Sequence, residues 1–172
     1  VEIDGEGNVA DRKLIFNGAE ASPLNPELPL KSDGLSFPGV LSYNKSFSGR
    51  SSIVTNAQNP YAFSIDPEVL RDGDQIDVIV KASGKPDDIR IVLSGEDSPL
   101  LYTTASPDTE LKEPEWYQVR LKAVIPSFMA GKKIKLYAWN KGKDLVYFDN
   151  FRMEIYRPIK TLNTTNEPVN GK

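Results

Sequence analysis

Two stretches of this chain alternate apolar and polar side chains so regularly that a helix cannot accommodate them. In the first, Ile76, Val78, Val80 and Ala82 alternate with Gln75, Asp77 and Lys81. In the second, Tyr117, Val119, Leu121 and Ala123 alternate with Gln118, Arg120 and Lys122. A period of two sends the apolar set to one face of a strand and the polar set to the other. Strands with one dry and one wet face belong to antiparallel sheets packed against a single core.

The same reasoning predicts strands over Lys13–Asn17, Ser51–Asn56, Tyr61–Asp66, Asp74–Ser83, Ile89–Ser94, Leu101–Thr104, Trp116–Ile125, Lys133–Trp139 and Leu145–Tyr156. Helical signals are thin. Pro67–Leu70 and Pro126–Ala130 each suit one turn, stopped by Gly73 and Gly131. The segment Ala19–Tyr43 carries Pro23, Pro26, Pro29 and Pro38, which exclude a central strand and predict a surface loop or a short edge strand. The 172 residues fit one domain. A flexible segment is expected over 1–11, the folded unit over 12–157, and a Thr-, Asn- and Pro-rich tail or linker over 158–172. The polar opening Val1–Gly5 lacks a signal-peptide pattern, so the chain reads as a mature or trimmed piece of something longer.

Composition removes several classes of chemistry. With no histidine and no cysteine, Ser-His and Cys-His nucleophile systems, disulfides and thiolate zinc sites are excluded within this chain. The 21 basic and 24 acidic residues leave a net charge of −3, without the clustered basic face of a nucleic-acid binder. No apolar run is long enough for a membrane-spanning helix, so membrane insertion is not expected.

The last predicted strand, Val146–Ile155, breaks its own pattern with Asp149–Asn150 between Phe148 and Phe151. A buried carboxylate costs several kcal/mol unless it is paired or bound to a metal. Four local patterns then occur in order. They are Leu14-Ile15-Phe16-Asn17-Gly18-Ala19-Glu20, Lys45-Ser46-Phe47-Ser48-Gly49-Arg50-Ser51-Ser52-Ile53, Leu70-Arg71-Asp72-Gly73-Asp74-Gln75-Ile76, and Trp116-Tyr117-Gln118-Val119 followed by Tyr147-Phe148-Asp149-Asn150. Together they resemble the jelly-roll carbohydrate-binding modules of the galactose-binding-like superfamily.

That resemblance implies an all-β, two-sheet antiparallel jelly-roll β-sandwich. It also implies a structural calcium ion held by Glu20, Asp149 and backbone carbonyls around Ser48–Arg50, which would tie the two chain ends together. The alternative is that Glu20 is a solvated loop residue and Asp149 caps a backbone bulge. For a ligand, Tyr137 and Trp139 share one face of Lys133–Trp139, opposite Ile134, Leu136 and Ala138. Outward aromatic faces suit stacking on sugar C–H groups. Gln118, Arg120 and Lys122 would supply hydrogen bonds if their strand lies adjacent. Alternatively, the aromatic pair is packed under the Pro-rich segment. Tyr61 and Tyr102 are further candidates, and Trp116 is read as a plug at one end of the sandwich.

The acidic clusters at Asp72/Asp74, Asp87/Asp88, Glu96/Asp97 and Glu110/Glu113/Glu115 fall in predicted turns, so they read as solvated rather than catalytic. Lys141-Gly142-Lys143-Asp144 reads as a hairpin turn. The expectation is a non-catalytic module that binds polysaccharide, monomeric within a larger bacterial chain, and extracellular, at the cell surface or periplasmic. The alternative is a structural or adhesion β-sandwich without a sugar site.

Overall fold

The alternating segments pair as antiparallel strands in two packed sheets. The computed structural model describes residues 2–3, 9–29, 35–65, 70–96 and 101–158. In chain order the strands are β1 (Glu2–Ile3), β2 (Val9–Asn17), β3 (Ala21–Ser22), β4 (Asn25–Pro29), β5 (Leu35–Ser36), β6 (Val40–Ser42), β7 (Ser52–Thr55) and β8 (Tyr61–Ile65). They continue as β9 (Gln75–Ser83), β10 (Ile89–Gly95), β11 (Tyr102–Ala105), β12 (Pro107–Glu113), β13 (Trp116–Val124), β14 (Ile134–Asn140) and β15 (Val146–Pro158). The first sheet runs β1-β2-β15-β9-β13-β12, with β7 also pairing β15 and β6 pairing β7. The second runs β11-β10-β14-β8-β5. The result is an all-β jelly-roll sandwich.

The inward positions are those the alternation selects. Ile76, Val78, Val80 and Ala82 of β9, Val119 and Leu121 of β13, and Phe148, Phe151 and Met153 of β15 are buried from one side. Ile89, Ile91 and Leu93 of β10, Ile134, Leu136 and Ala138 of β14, and Phe63 and Ile65 of β8 meet them in one cluster. Phe63 stacks on Phe151 at 5.2 Å between centroids and takes Phe37 edge-on at 5.3 Å. Each fully buried side chain of this size contributes about 1.5–3 kcal/mol relative to exposure, so the core outweighs any single polar contact.

Several expectations need correction. β2 begins at Val9 and pairs with Glu2–Ile3, so part of the segment expected to be flexible is sheet. The Pro-rich segment does carry a short edge strand, β5 beside β8, and adds a β3–β4 hairpin and β6 beside β7 that were not expected. Glu110 and Glu113 lie on the edge strand β12, with Pro107 at its first position where no ladder bond is lost. Asp74 is buried and ion-paired: its carboxylate accepts from Arg157 Nη2 at 3.0 Å and from the Arg71 amide at 2.8 Å.

Lys141–Asp144 is not a hairpin turn, because it links β14 in the second sheet to β15 in the first. Asn140 shapes this crossing by donating to Asp144 O and accepting from the Gly142 amide. Of the two expected helical turns, Ser127–Met129 is a 3₁₀ turn that buries Met129, while residues 66–69 lie outside the described residues. The tail expected over 158–172 begins inside β15, which runs to Pro158, and residues 159–172 lie outside the described residues.

Candidate functional site

Outward positions of the second sheet gather its aromatic side chains. Antiparallel register sets Tyr137 opposite Ser64 and Trp139 opposite Tyr61, with a bulge between them. Across the other edge, Tyr137 faces Val92 and Trp139 faces Arg90, while Tyr102 of β11 faces Ser94. The Tyr61 and Tyr137 rings meet edge to face at 5.4 Å and 88°. Tyr137 and Trp139 are half-buried, Tyr61 is 43% exposed and Tyr102 59%. Val92 is fully buried on this outer face and is not part of the interior cluster, so the aromatic layer shields it.

Burial of the Tyr137 hydroxyl raises its pKa above 10.0, and the neighbouring phenols of Tyr102 and Tyr61 push the same way. A hydrogen bond with Ser94 opposes them. A neutral, locked phenol among flat rings with Arg90, Ser94 and Thr104 nearby presents apolar faces ringed by donors and acceptors. That combination suits the C–H face and hydroxyl rim of a sugar.

The structure does not bring all five expected ligand residues together. Tyr137 and Trp139 point outward from the second sheet, whereas Gln118, Arg120 and Lys122 lie on β13 of the first. The cause is topological: β13 pairs with β9 and β12, so the two sets stand on opposite outer faces of the sandwich. Trp116 is 6% exposed and meets Phe47 edge-on at 5.8 Å, but it lies outside the interior cluster, on the same side of β13 as Gln118 and Arg120, so it is covered by the 46–51 loop and does not plug the sandwich.

Glu20 and Asp149 do converge, and the fold explains the odd carboxylate in β15. Residues Val146–Phe148 pair with β7 and Phe151–Pro158 pair with β2, so β15 changes partner at Asp149 and Asn150. The register also slips against β9 there, and Asn150 takes a φ of 50°. This bulge lets Phe148 and Phe151 both face inward. It opens a seam between β2 and β7 filled by residues 17–20 and 46–51. Asp149, fully buried, accepts from the amides of Phe47 at 2.8 Å, Ser48 at 3.2 Å and Asn150 at 2.7 Å. Glu20 accepts from the Arg50 amide at 3.1 Å and from Ser51 Oγ at 3.3 Å. Asn17 accepts from the Ala19 amide, and Ser48 Oγ donates to Asn150 Oδ1.

Burial raises the Asp149 pKa and the nearby Glu20 charge adds to this, while the three amides lower it. Neither carboxylate has a side-chain cation among the described residues. The loop turns the amides of Phe47, Ser48 and Arg50 toward them, where carbonyls were expected. Among the described residues no cluster of three acidic, His or Cys side chains forms. All four carboxylate oxygens already accept from an N–H or O–H, so both groups have partners without an ion. Glu20, Asp149, Asn150 and Ser48 offer oxygen donors only, the type a hard cation takes.

No protein-family model matches the chain, and no curated protein sequence matches it. Solved structures do. The C-terminal family 22 carbohydrate-binding module of Clostridium thermocellum Xyn10B gives a TM-score of 0.52 at 12% identity, covering 93% of this chain and all of that one. The chain shares the jelly-roll sandwich fold of that module. The CBM22-1 xylan-binding domain of Paenibacillus barcinonensis Xyn10C gives 0.51 at 12% identity, over 82% of this chain and 92% of its own. A cyclase from Fischerella sp. in its apo form is also similar, at 0.48 and 14% identity over 90% of this chain and 89% of its own.

Proposed function

We propose that this chain is a non-catalytic glycan-binding module whose ligand lies along the outer face of the second sheet. One observation carries the reading: Tyr61, Tyr137 and Trp139 form a contiguous aromatic layer on rigid strands, with Tyr61 and Tyr137 ring to ring. Stacking would supply affinity, while Arg90, Ser94 and Tyr102 would read hydroxyls. Among the described residues, the outward positions of these strands carry no pair of carboxylates for glycoside cleavage, and Glu96 at the margin is ion-paired with Lys135 at 3.6 Å. A tethering role within a larger exported bacterial protein, at the cell surface or in the periplasm, belongs to the same reading and draws on the sequence resemblance. The half-burial of Tyr137 and Trp139 favours a second reading, an adhesion or spacer domain in which these rings only pack.

A polysaccharide array probed with wild type and Trp139→Ala separates the two. Binding that the variant loses supports the module, and no binding to any polymer sinks it.

Calcium is part of the proposal, held by Glu20 and Asp149 across the seam. When bound it would supply charge neutralisation for two carboxylates that otherwise repel. At calcium 100-fold above its Kd, stability should rise by about 2.7 kcal/mol, seen as a higher Tm in calcium than in chelator. An identical Tm in both would leave the amides and the Ser51 hydroxyl as the partners of these groups.

A further inference from the structure

The outer face of the first sheet holds a groove of 690 Å³, within the range of ligand sites of about 300–1,000 Å³. Its side chains form two rows across three strands. Lys122, Asp77 and Glu154 stand abreast on β13, β9 and β15, and Arg120, Ile79 and Arg152 stand abreast beside them. Arg120 forks onto Asp77, with Nε to Oδ1 at 2.9 Å and Nη2 to Oδ2 at 2.6 Å. Glu154, only 8% exposed, accepts from Arg152 Nη2 and from the Tyr156 hydroxyl at 2.7 Å. Half-buried Ile79 makes an apolar floor between the two guanidinium groups. Ala123 and Val124 of β13 add apolar surface to its lining.

We propose that this groove is a second saccharide-binding surface, so that one module carries glycan sites on both outer faces of its sandwich. The chemistry selects a neutral polyhydroxyl ligand. The three bases and two acids that line the groove leave one net positive charge, and both arginines are already paired with carboxylates. An anion would have to displace Asp77 or Glu154 from its partner, and a cation would meet the three bases. A hydroxyl both donates and accepts, so it bonds to a guanidinium N–H and a carboxylate oxygen without breaking either pair. Ile79, with Ala123 and Val124, offers the apolar contact that a sugar's C–H face requires. Arg152 and Tyr156 hold the nearly buried Glu154 carboxylate in place within the groove. The consequence is bridging: a module bound on both faces links two polysaccharide chains.

Only the ligand class is taken from the glycan reading, and the test keeps the two sites apart. Native affinity gels containing soluble xylan, mixed-linkage β-glucan or galactomannan compare wild type, Tyr137→Ala/Trp139→Ala, Arg120→Ala and Arg120→Lys. In parallel, amide chemical shifts of the wild type are followed with the hexasaccharide of the retarding polymer, which needs no variant to fold. The aromatic double variant should keep measurable retardation by one polymer. Adding Arg120→Ala should weaken that residual binding at least threefold, with Arg120→Lys in between because it keeps the charge and loses the fork. Shifts should appear on β9, β13 and β15 as well as β14. If wild type is retarded but the double variant migrates as in an empty gel, with shifts confined to the second sheet, the groove is only a set of structural ion pairs and the first site stands. If the double variant binds as wild type and Arg120→Ala does not, the groove stands and the aromatic face falls. Wild type unretarded by all three polymers, with no shifts, overturns both.

Discussion

Replacing Asp149 by alanine is the sharpest probe of how the two ends of the chain are held together. The carboxylate accepts three amide hydrogen bonds, two of them from a loop about a hundred residues away in sequence. Bonds to a charged acceptor contribute about 1.5–3 kcal/mol each, so three give a gross loss of roughly 4–9 kcal/mol. Two effects reduce it. The wild type bears a desolvation cost, visible as the raised Asp149 pKa, which alanine removes. Ser48 is exposed, so water replaces one of the lost acceptors. The net loss should be about 3 kcal/mol, a large share of the ~5–15 kcal/mol that stabilises an ordinary domain. Urea unfolding followed by tryptophan fluorescence reads it, because Trp116 contacts Phe47 in the anchored loop. The slope with urea should be unchanged and the midpoint lower. Asp149→Asn, which keeps an oxygen for Phe47 and Ser48 but turns an amine toward Asn150, should lose less than alanine. A loss below about 1 kcal/mol for Asp149→Ala would refute the anchoring argument, since one charged hydrogen bond alone is worth more.

Other perturbations test neighbouring steps of the account. Gly49 has a φ of +66°, and an added Cβ would sit 1.7 Å from Glu20 Oε1. Gly49→Ala should therefore displace Glu20 from the Arg50 amide and cost about 2 kcal/mol in urea unfolding; an unchanged midpoint would mean that Glu20 is not held there. Tyr137 has a folded-state pKa above 10.0, so the folded protein keeps this proton where the unfolded chain loses it. Its contribution to stability is intact below that value and falls as pH rises through the window up to the folded pKa. Tyrosinate absorbance should show one late-titrating phenol that Tyr137→Phe removes, and no difference between the two titrations would contradict the packing described.

Both sheets were legible because β9, β10, β13 and β14 bury one face each, and a period of two is the direct imprint of that burial. The partner of each strand was not legible. Alternation gives the face a side chain occupies relative to its own strand but not the sheet that strand joins, so Arg120 and Tyr137 seemed able to share a surface. The crossing at Lys141–Asp144 looked like a hairpin for the same reason, since turn composition does not record whether a chain returns or changes sheets. Asp149 was conspicuous in the sequence, and its position at the change of partner along β15 explains both the carboxylate and the bulge. Asp74 was hidden because its partner Arg157 is 83 residues away, and a Gly-flanked Asp looks like any turn residue. The groove escaped notice because charged side chains alternating on a strand are the usual signature of a wet face. Only the registry of β13, β9 and β15 sets Arg120, Asp77, Arg152 and Glu154 around Ile79.

The central claim, that the aromatic layer of the second sheet binds glycan, is tested most directly by calorimetric titration of wild type and Trp139→Ala with an oligosaccharide of the polymer selected on the array. Loss of one stacking surface should weaken binding at least tenfold, about 1.4 kcal/mol, with the variant still folded at the assay temperature. Equal affinity in the two proteins, or an array on which no polysaccharide retains the wild type, would contradict the account.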